Sequence, residues 1–154
     1  MLGFILSKIG LVLIFAVAGF AWWKGGAGER EGALAVVVAW IVSLATQALS
    51  PVDNRLQMLA VVDGGLALAM LAIALRYTSV WLGIAMLLQG AVLAVHSLGL
   101  GKAINLREYY IALNLSSTAM LLAMVFATIG SWIKRSKRTA KVAPAPPSAL
   151  AGAA

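Results

Sequence analysis

The sequence predicts an all-α membrane protein, a compact bundle of five transmembrane helices. Of its 154 residues, 62% are hydrophobic and only 11% are charged, whereas a soluble domain is nearer half apolar and a quarter charged. Five apolar stretches each approach the roughly 20 residues that a helix needs to cross a bilayer. They lack the period-two alternation of membrane β-strands. The predicted transmembrane domain is 1–133, with spans at 2–23, 32–49, 56–75, 80–100 and 109–133.

The first span, 2–23, is interrupted by Lys8 and is closed by Trp22 and Trp23, which is typical of an interfacial anchor. A rival prediction is a cleaved signal peptide with an A-x-A site at 16–18. A signal peptide carries positive charge before its apolar region, however, and this stretch does not. Removing it would leave four spans with unchanged directions.

The remaining spans are joined by short links that are rich in glycine, proline or charge. The second span follows the link 24–31 and ends before Pro51, and the third ends before Arg76. The fourth is closed by Gly101, and the fifth ends where a basic segment begins at Lys134. Because the links are short, we expect sequential neighbours to be antiparallel.

The basic residues predict an orientation with the N-terminus outside and the C-terminus in the cytoplasm. Five of the twelve Lys and Arg residues lie between Lys134 and Lys141, and cytoplasmic segments are enriched in such residues. Eight basic residues would then lie on the cytoplasmic side and three in the outer loops. The aromatic residues fit this orientation, with Trp22, Trp23, Tyr77, Trp81 and Trp132 at the inner interface and Tyr109 and Tyr110 at the outer one.

The segment 134–154 is expected to be a cytoplasmic tail, basic at first and then rich in Ala and Pro and disordered. A net charge of +7 would suggest a nucleic-acid partner in a soluble protein. Next to a membrane span it indicates anionic lipid headgroups instead. The candidate headgroup contacts are Lys134, Arg135, Lys137 and Arg138.

Polar residues within the spans gather in the outer half of the predicted bilayer. Counting from the outer end of span three, Asp63 lies roughly 10 Å deep. Gln89 and His96 share one face of span four, at levels below and above Asp63. Ionisable groups are costly in hydrocarbon, so this cluster is a candidate site. It comprises Asp63, Gln89, His96, Tyr110, Asn114, Ser117 and Lys8, with Ser43, Thr46 and Gln47 near the same end.

Asp63 has two open interpretations. As a structural group it would tie helices together, with Lys8 as a candidate counter-charge and Gln89 and Asn114 as further links between helices. As a functional group it would carry protons or bind a ligand.

His96 is the only histidine. Either Asp63, Tyr110 or Ser97 satisfies its ring, or it acts as a pH-sensitive group. One histidine supplies neither a multi-histidine metal site nor both axial ligands of a haem within a monomer. The chain has no cysteine, which excludes disulfides and thiolate chemistry. No catalytic or metal-ligating residue is therefore assigned.

Small residues recur at positions that would allow close helix packing. They are Gly64 and Gly65 in span three, Gly90 and Ala94 in span four, and Ala119, Ala123 and Ala127 in span five. We expect them to pack within the bundle, and the other interpretation is an interface with a partner's helix.

Several short motifs occur in a characteristic order. They are Trp22-Trp23-Lys24-Gly25-Gly26 before span two, Val62-Asp63 in span three, Gln89 and His96 in span four, and Ile129-Gly130-Ser131-Trp132 in span five. In this order they resemble small multi-span inner-membrane proteins of proteobacteria, a group without an assigned activity. The resemblance implies a bacterial inner-membrane location and brings no functional residue.

The predicted function is a non-enzymatic accessory or assembly subunit of an inner-membrane complex. The chain is small, its loops are short, and it has no phosphate-binding loop, nucleophile elbow or H-E-x-x-H motif. The alternative is a protein that binds or translocates a small ligand, quinone, lipid or proton in a periplasm-facing pocket around Asp63 and His96. A third hypothesis, an enzyme acting on lipid, needs Ser117 or Ser97 within about 3 Å of His96.

Overall fold

The protein is an all-helical bundle of five helices. The computed structural model describes residues 2–51 and 54–142, with side chains for 10–51 and 54–138. The helices are α1 (Leu2–Lys24), α2 (Ala27–Leu49), α3 (Arg55–Arg76), α4 (Val80–Leu100) and α5 (Leu106–Val142).

Four of these helices are long and apolar enough to cross a membrane. They are α2, α3, α4 and the part of α5 from Leu106 to Arg138, whereas the described apolar part of α1, Gly10–Lys24, is shorter. Large hydrophobic side chains are exposed along the helices, among them Leu49, Leu75 and Leu87. Such a surface suits lipid rather than water, and the chain is therefore a multi-span helical membrane protein.

Two helices extend beyond the predicted spans by more than one residue at an end. α2 begins at Ala27, more than one turn early, because the Glu29 carboxylate accepts a hydrogen bond from the Gly26 N–H at 2.8 Å and caps the first turn. α5 continues through the basic segment to Val142, so the first part of the predicted tail is helical. The Ala- and Pro-rich remainder, 143–154, lies outside the described residues.

One end of the bundle gathers basic residues, and we call it the basic end; it is marked by Lys24, Arg30, Arg76 and Arg135. Here α1 and α3 finish and α2 and α4 begin. The guanidinium of Arg135 on α5 donates to the carbonyl of Lys24 at the end of α1. The other end, where α4 turns into α5, is called the opposite end.

Two glutamates of α2 hold the basic end together. Glu29 is buried and accepts a hydrogen bond from the Ser131 hydroxyl of α5 at 2.7 Å. Glu31 accepts one from the Tyr77 hydroxyl at 2.6 Å and lies 3.6 Å from a guanidinium nitrogen of Arg76. The hydrogen bond to Glu31 raises the pKa of Tyr77, so its hydroxyl remains a donor.

The five helices pack as a closed ring in chain order, with α5 returning to α1. The dense core fills the half nearer the basic end, where Met70, Leu82 and Met124 are fully enclosed. Trp81 is also buried there, although the sequence predicts it at the interface. Gly32 makes room for it, since a Cβ at that position would lie 2.4 Å from Cη2 of the indole.

Three glycines of α3 and α4 do not serve the helix packing that the sequence predicts for them. A Cβ at Gly64, Gly65 or Gly90 would meet no atom within 4 Å. These glycines therefore lie away from the contacts between the described helices. Ala127 of α5, by contrast, packs against the core as expected.

Candidate functional site

Asp63 and His96 join α3 to α4 inside the bundle. The two side chains meet with 2.6 Å between His96 Nε2 and Asp63 Oδ2. Seven residues before His96 on the same helix, the side-chain amide of Gln89 donates to the backbone carbonyl of Asp63 at 2.8 Å. His96 and Gln89 are both buried. The three residues that depth counting placed at neighbouring levels are thus in direct contact.

A tyrosine completes this chain of hydrogen bonds. The Tyr109 hydroxyl lies 2.8 Å from His96 Nδ1, and only 1% of Tyr109 is exposed. The sequence pattern places Tyr109 at the outer interface and names Tyr110 or Ser97 as partners of His96. In the structure, the hydroxyl of Ser97 donates instead to the Leu93 carbonyl at 3.0 Å.

The turn between α4 and α5 explains why Tyr109 is the partner. Lys102 adopts a left-handed φ of 55°, which reverses the chain sharply at the opposite end. The first turn of α5 then lies against the last turn of α4. Gly99 leaves room for the Tyr109 ring, because a Cβ there would lie 2.8 Å from its Cδ2.

The chain of donors points toward the Asp63 carboxylate. With a neutral imidazole, Tyr109 donates to His96 Nδ1 and His96 Nε2 donates to Asp63 Oδ2. The second carboxylate oxygen, Oδ1, accepts no hydrogen bond from the described residues. The Asp63 side chain keeps 24% of its surface exposed. One oxygen is thus held in place, and the carboxylate as a whole remains partly accessible.

A cavity of about 240 Å³ lies beside Asp63, and all five helices contribute to its wall. Its polar lining lies toward the opposite end and comprises Ser43, Gln47, Asp63, Gln89, Tyr110, Asn114, Ser116 and Ser117. Its apolar lining includes Ile14, Val36, Leu66, Met120 and Leu121 toward the dense core, and Leu59, Val92 and Leu113 among the polar residues. The cavity therefore has a wholly apolar end at the dense core and a mixed wall around Asp63.

The remaining predicted site residues fall around this cavity with one exception. Tyr110, Asn114 and Ser117 line it from α5 and are exposed. His96 and Tyr109 do not line the cavity. His96 contacts Asp63 directly, and Tyr109 contacts His96. The side chain of Lys8 lies outside the described residues.

The electrostatic character of the lining is set by one carboxylate. None of the described residues that line the cavity is Lys, Arg or His. Asp63 Oδ1 is an acceptor, and the rings of Trp40 and Tyr110 present π-faces that attract cations. A neutral hydrogen-bond donor or a cation therefore matches this wall, whereas an anion would be buried without a counter-charge.

The arrangement around His96 differs from that of a serine hydrolase. Asp63 and Tyr109 occupy both ring nitrogens. Neither Ser97 nor Ser117 is hydrogen-bonded to His96 in the described part of the chain, and the lipid-enzyme hypothesis required such a contact. Among the residues whose positions are described, no group of three His, Asp or Glu side chains could hold a metal ion.

Comparison with protein-family models, with curated proteins and with solved structures gives no match for this chain.

We predict that Tyr109→Phe lowers the free energy of unfolding by about 1 to 2 kcal/mol, because His96 Nδ1 would stay buried without its donor. Tyr110→Phe is the matched control, since its hydroxyl bonds to none of the described residues, and it should change stability by less than about 0.5 kcal/mol. Reversible unfolding in mixed detergent micelles measures both. Equal effects of the two substitutions would show that the hydrogen bond contributes nothing.

Proposed function

We propose that the protein binds a small amphipathic molecule in the cavity beside Asp63. The polar group would lie at Asp63 Oδ1, and the apolar part would extend toward Ile14 and Leu121. The observation that carries the proposal is the partly exposed Asp63 carboxylate, which lines a cavity inside a closed ring of helices. Intramembrane carboxylates are costly, and they characteristically mark ligand or ion sites.

The size of the cavity limits the ligand. An apolar cavity of about 150 Å³ can hold benzene, so about 240 Å³ accommodates one ring with a short polar arm. Most ligand pockets measure roughly 300–1,000 Å³, and this one lies below that range. A quinone or a lipid would therefore enter with its headgroup alone.

The charge of the cavity selects among small molecules. A neutral alcohol or phenol can donate to Asp63 Oδ1, and an ammonium group can also lie against Trp40 or Tyr110. A carboxylate or a phosphate would face Asp63 with no basic residue of the described lining to compensate. The proposed ligand is accordingly neutral or cationic.

The location that we propose is the bacterial inner membrane, with the basic end in the cytoplasm. Lys24, Arg30, Arg76 and Arg135 all lie at that end, which agrees with the enrichment of basic residues on the cytoplasmic side. The N-terminus would then lie outside, and the polar wall of the cavity would face the periplasmic half of the bilayer. The basic residues of α5 beyond the bundle, Lys134, Arg135, Lys137 and Arg138, would contact anionic headgroups.

A second candidate function is supported by a separate observation. The outward-facing glycines of α3 and α4 leave a surface on which another helix could pack closely. An accessory or assembly subunit of a larger membrane complex, or a self-associating protein, would use such a surface.

We predict that benzylamine and benzyl alcohol bind the purified protein in nanodiscs, and that benzoate binds at least about tenfold more weakly, a difference of roughly 1.4 kcal/mol. The three probes share a ring that fits the cavity and differ in charge. Saturation-transfer NMR, corrected with empty nanodiscs, measures binding.

The decisive variant is Asp63→Asn, which keeps the shape of the side chain and removes its negative charge. It should abolish the preference for benzylamine over benzoate. Glu108→Gln removes an equal charge from an exposed residue outside the cavity and should leave the preference intact. Identical affinities for all three probes in the wild-type protein would reject the proposed site.

For the second candidate, we expect that purification in a mild detergent and native mass spectrometry detect a stable complex, either with another membrane protein or with a second copy. Gly90→Leu should dissociate it, because the side chain would fill the exposed groove without touching the protein's own helices. Gly130→Leu on α5, where a Cβ is also uncontacted, is the control on another face. A monomer under all conditions would exclude the accessory role.

A further inference from the structure

A second cavity lies at the basic end, against the turn between α1 and α2. It measures about 370 Å³. Its lining comprises Trp22, Gly25, Gly26, Ala27, Arg30, Glu31, Leu34 and Arg135. None of these residues lines the cavity beside Asp63, so the two sites are separate.

Two guanidinium groups give this cavity its charge. Arg30, in the first turn of α2, is exposed, and its guanidinium forms no hydrogen bond or ion pair with the described residues. Arg135 reaches the cavity from α5, where its donations to the carbonyls of Lys24 and Ser131 position the guanidinium. The two basic groups therefore face one cavity from different helices.

The acidic residues nearby are already engaged. Glu31 lines the cavity, but it accepts the Tyr77 hydroxyl at 2.6 Å and lies 3.6 Å from Arg76. Glu29 is buried and binds Gly26 and Ser131. The charge presented to an incoming ligand is thus dominated by the two arginines.

The apolar rim indicates which kind of anion this cavity suits. Trp22 is 59% exposed and Leu34 is 54% exposed. Both belong to helices of the membrane domain, and Trp side chains favour the headgroup level of a bilayer. A lipid could place its phosphate at the arginines and its acyl chains against Trp22 and Leu34, whereas a free phosphate would use only the arginines.

We propose that this cavity binds the headgroup of an anionic phospholipid, with the phosphate between Arg30 and Arg135. The Arg30 guanidinium can bind phosphate oxygens in a bidentate manner, with charge-assisted hydrogen bonds. Arg135, whose Nε and Nη2 donate to the carbonyls of Ser131 and Lys24, adds positive charge on the other side. The site would fix the bundle in the leaflet at its basic end. It is independent of the ligand proposed for the Asp63 cavity.

The test is native mass spectrometry of the full chain released from mixed micelles that contain phosphatidylglycerol and phosphatidylcholine. We expect retained phosphatidylglycerol in excess over phosphatidylcholine. Arg30→Gln should reduce the retained phosphatidylglycerol about fivefold, the effect expected for one basic residue at an anionic lipid surface.

Arg107→Gln is the matched control, because Arg107 is an exposed arginine at the opposite end. It should leave phosphatidylglycerol binding unchanged. Equal losses in Arg30→Gln and Arg107→Gln would mean that binding follows overall charge, and they would overturn the site. No excess of phosphatidylglycerol in the wild-type protein would overturn it as well.

A further experiment tests whether the cavity binds the whole lipid or only its phosphate headgroup. Glycerol 3-phosphate carries the phosphate without acyl chains, and it should not displace phosphatidylglycerol at equal concentration. Trp22→Ala should weaken retention of the lipid by removing a contact on the apolar rim. Full displacement by glycerol 3-phosphate would replace the lipid by a soluble phosphate and contradict the proposal.

Discussion

The hydrogen bond between His96 and Asp63 is the interaction on which the opposite end of the bundle depends. Neither side chain could be placed alone in a membrane interior without a large cost in free energy. Paired, and extended by Tyr109, they connect α3, α4 and α5 through two contacts of 2.6 and 2.8 Å. The same contacts fix one carboxylate oxygen, and the second accepts no hydrogen bond from the described residues. Structural and functional roles of Asp63 are therefore compatible in one arrangement.

The bundle divides into two halves with different packing. Near the basic end, large apolar residues such as Met70 and Leu82 fill the interior, and Glu29 and Glu31 hold the helix ends. Toward the opposite end, the interior contains the cavity, and polar contacts take the place of dense packing. A cavity removes dispersion contacts that would otherwise stabilise the fold. The hydrogen bonds that link Tyr109, His96 and Asp63 offset part of this lost stability without filling the cavity.

Hydropathy and the helical rise per residue were sufficient to predict part of this architecture from the sequence. The five apolar stretches correspond to the five helices, and antiparallel depth counting placed Asp63 at a level between Gln89 and His96. These two signals did not predict the contact between Tyr109 and His96. The position of Tyr109 depends on the φ of Lys102 and on the space left by Gly99. The direction of Gly90 had a signal in the sequence, because it directly follows the inward-facing Gln89 and one residue rotates the helix by about 100°. The small-residue pattern on its own predicted the opposite direction. The early start of α2 had a detectable signal in the spacing of Gly26 and Glu29.

The central claim is that water and small molecules reach the cavity beside Asp63. The chain contains no cysteine, so a single introduced thiol can report access, because only the thiolate formed in water reacts quickly. Ser117 lines the cavity, and Leu115 on the same helix is 70% exposed on the outer face of the bundle. Each residue is replaced by cysteine in a separate variant. A small, membrane-impermeant thiol reagent added to the periplasmic face should label Ser117→Cys at least about tenfold faster than Leu115→Cys, whose thiol would lie in lipid. Equally slow labelling of both residues from either face would contradict the account.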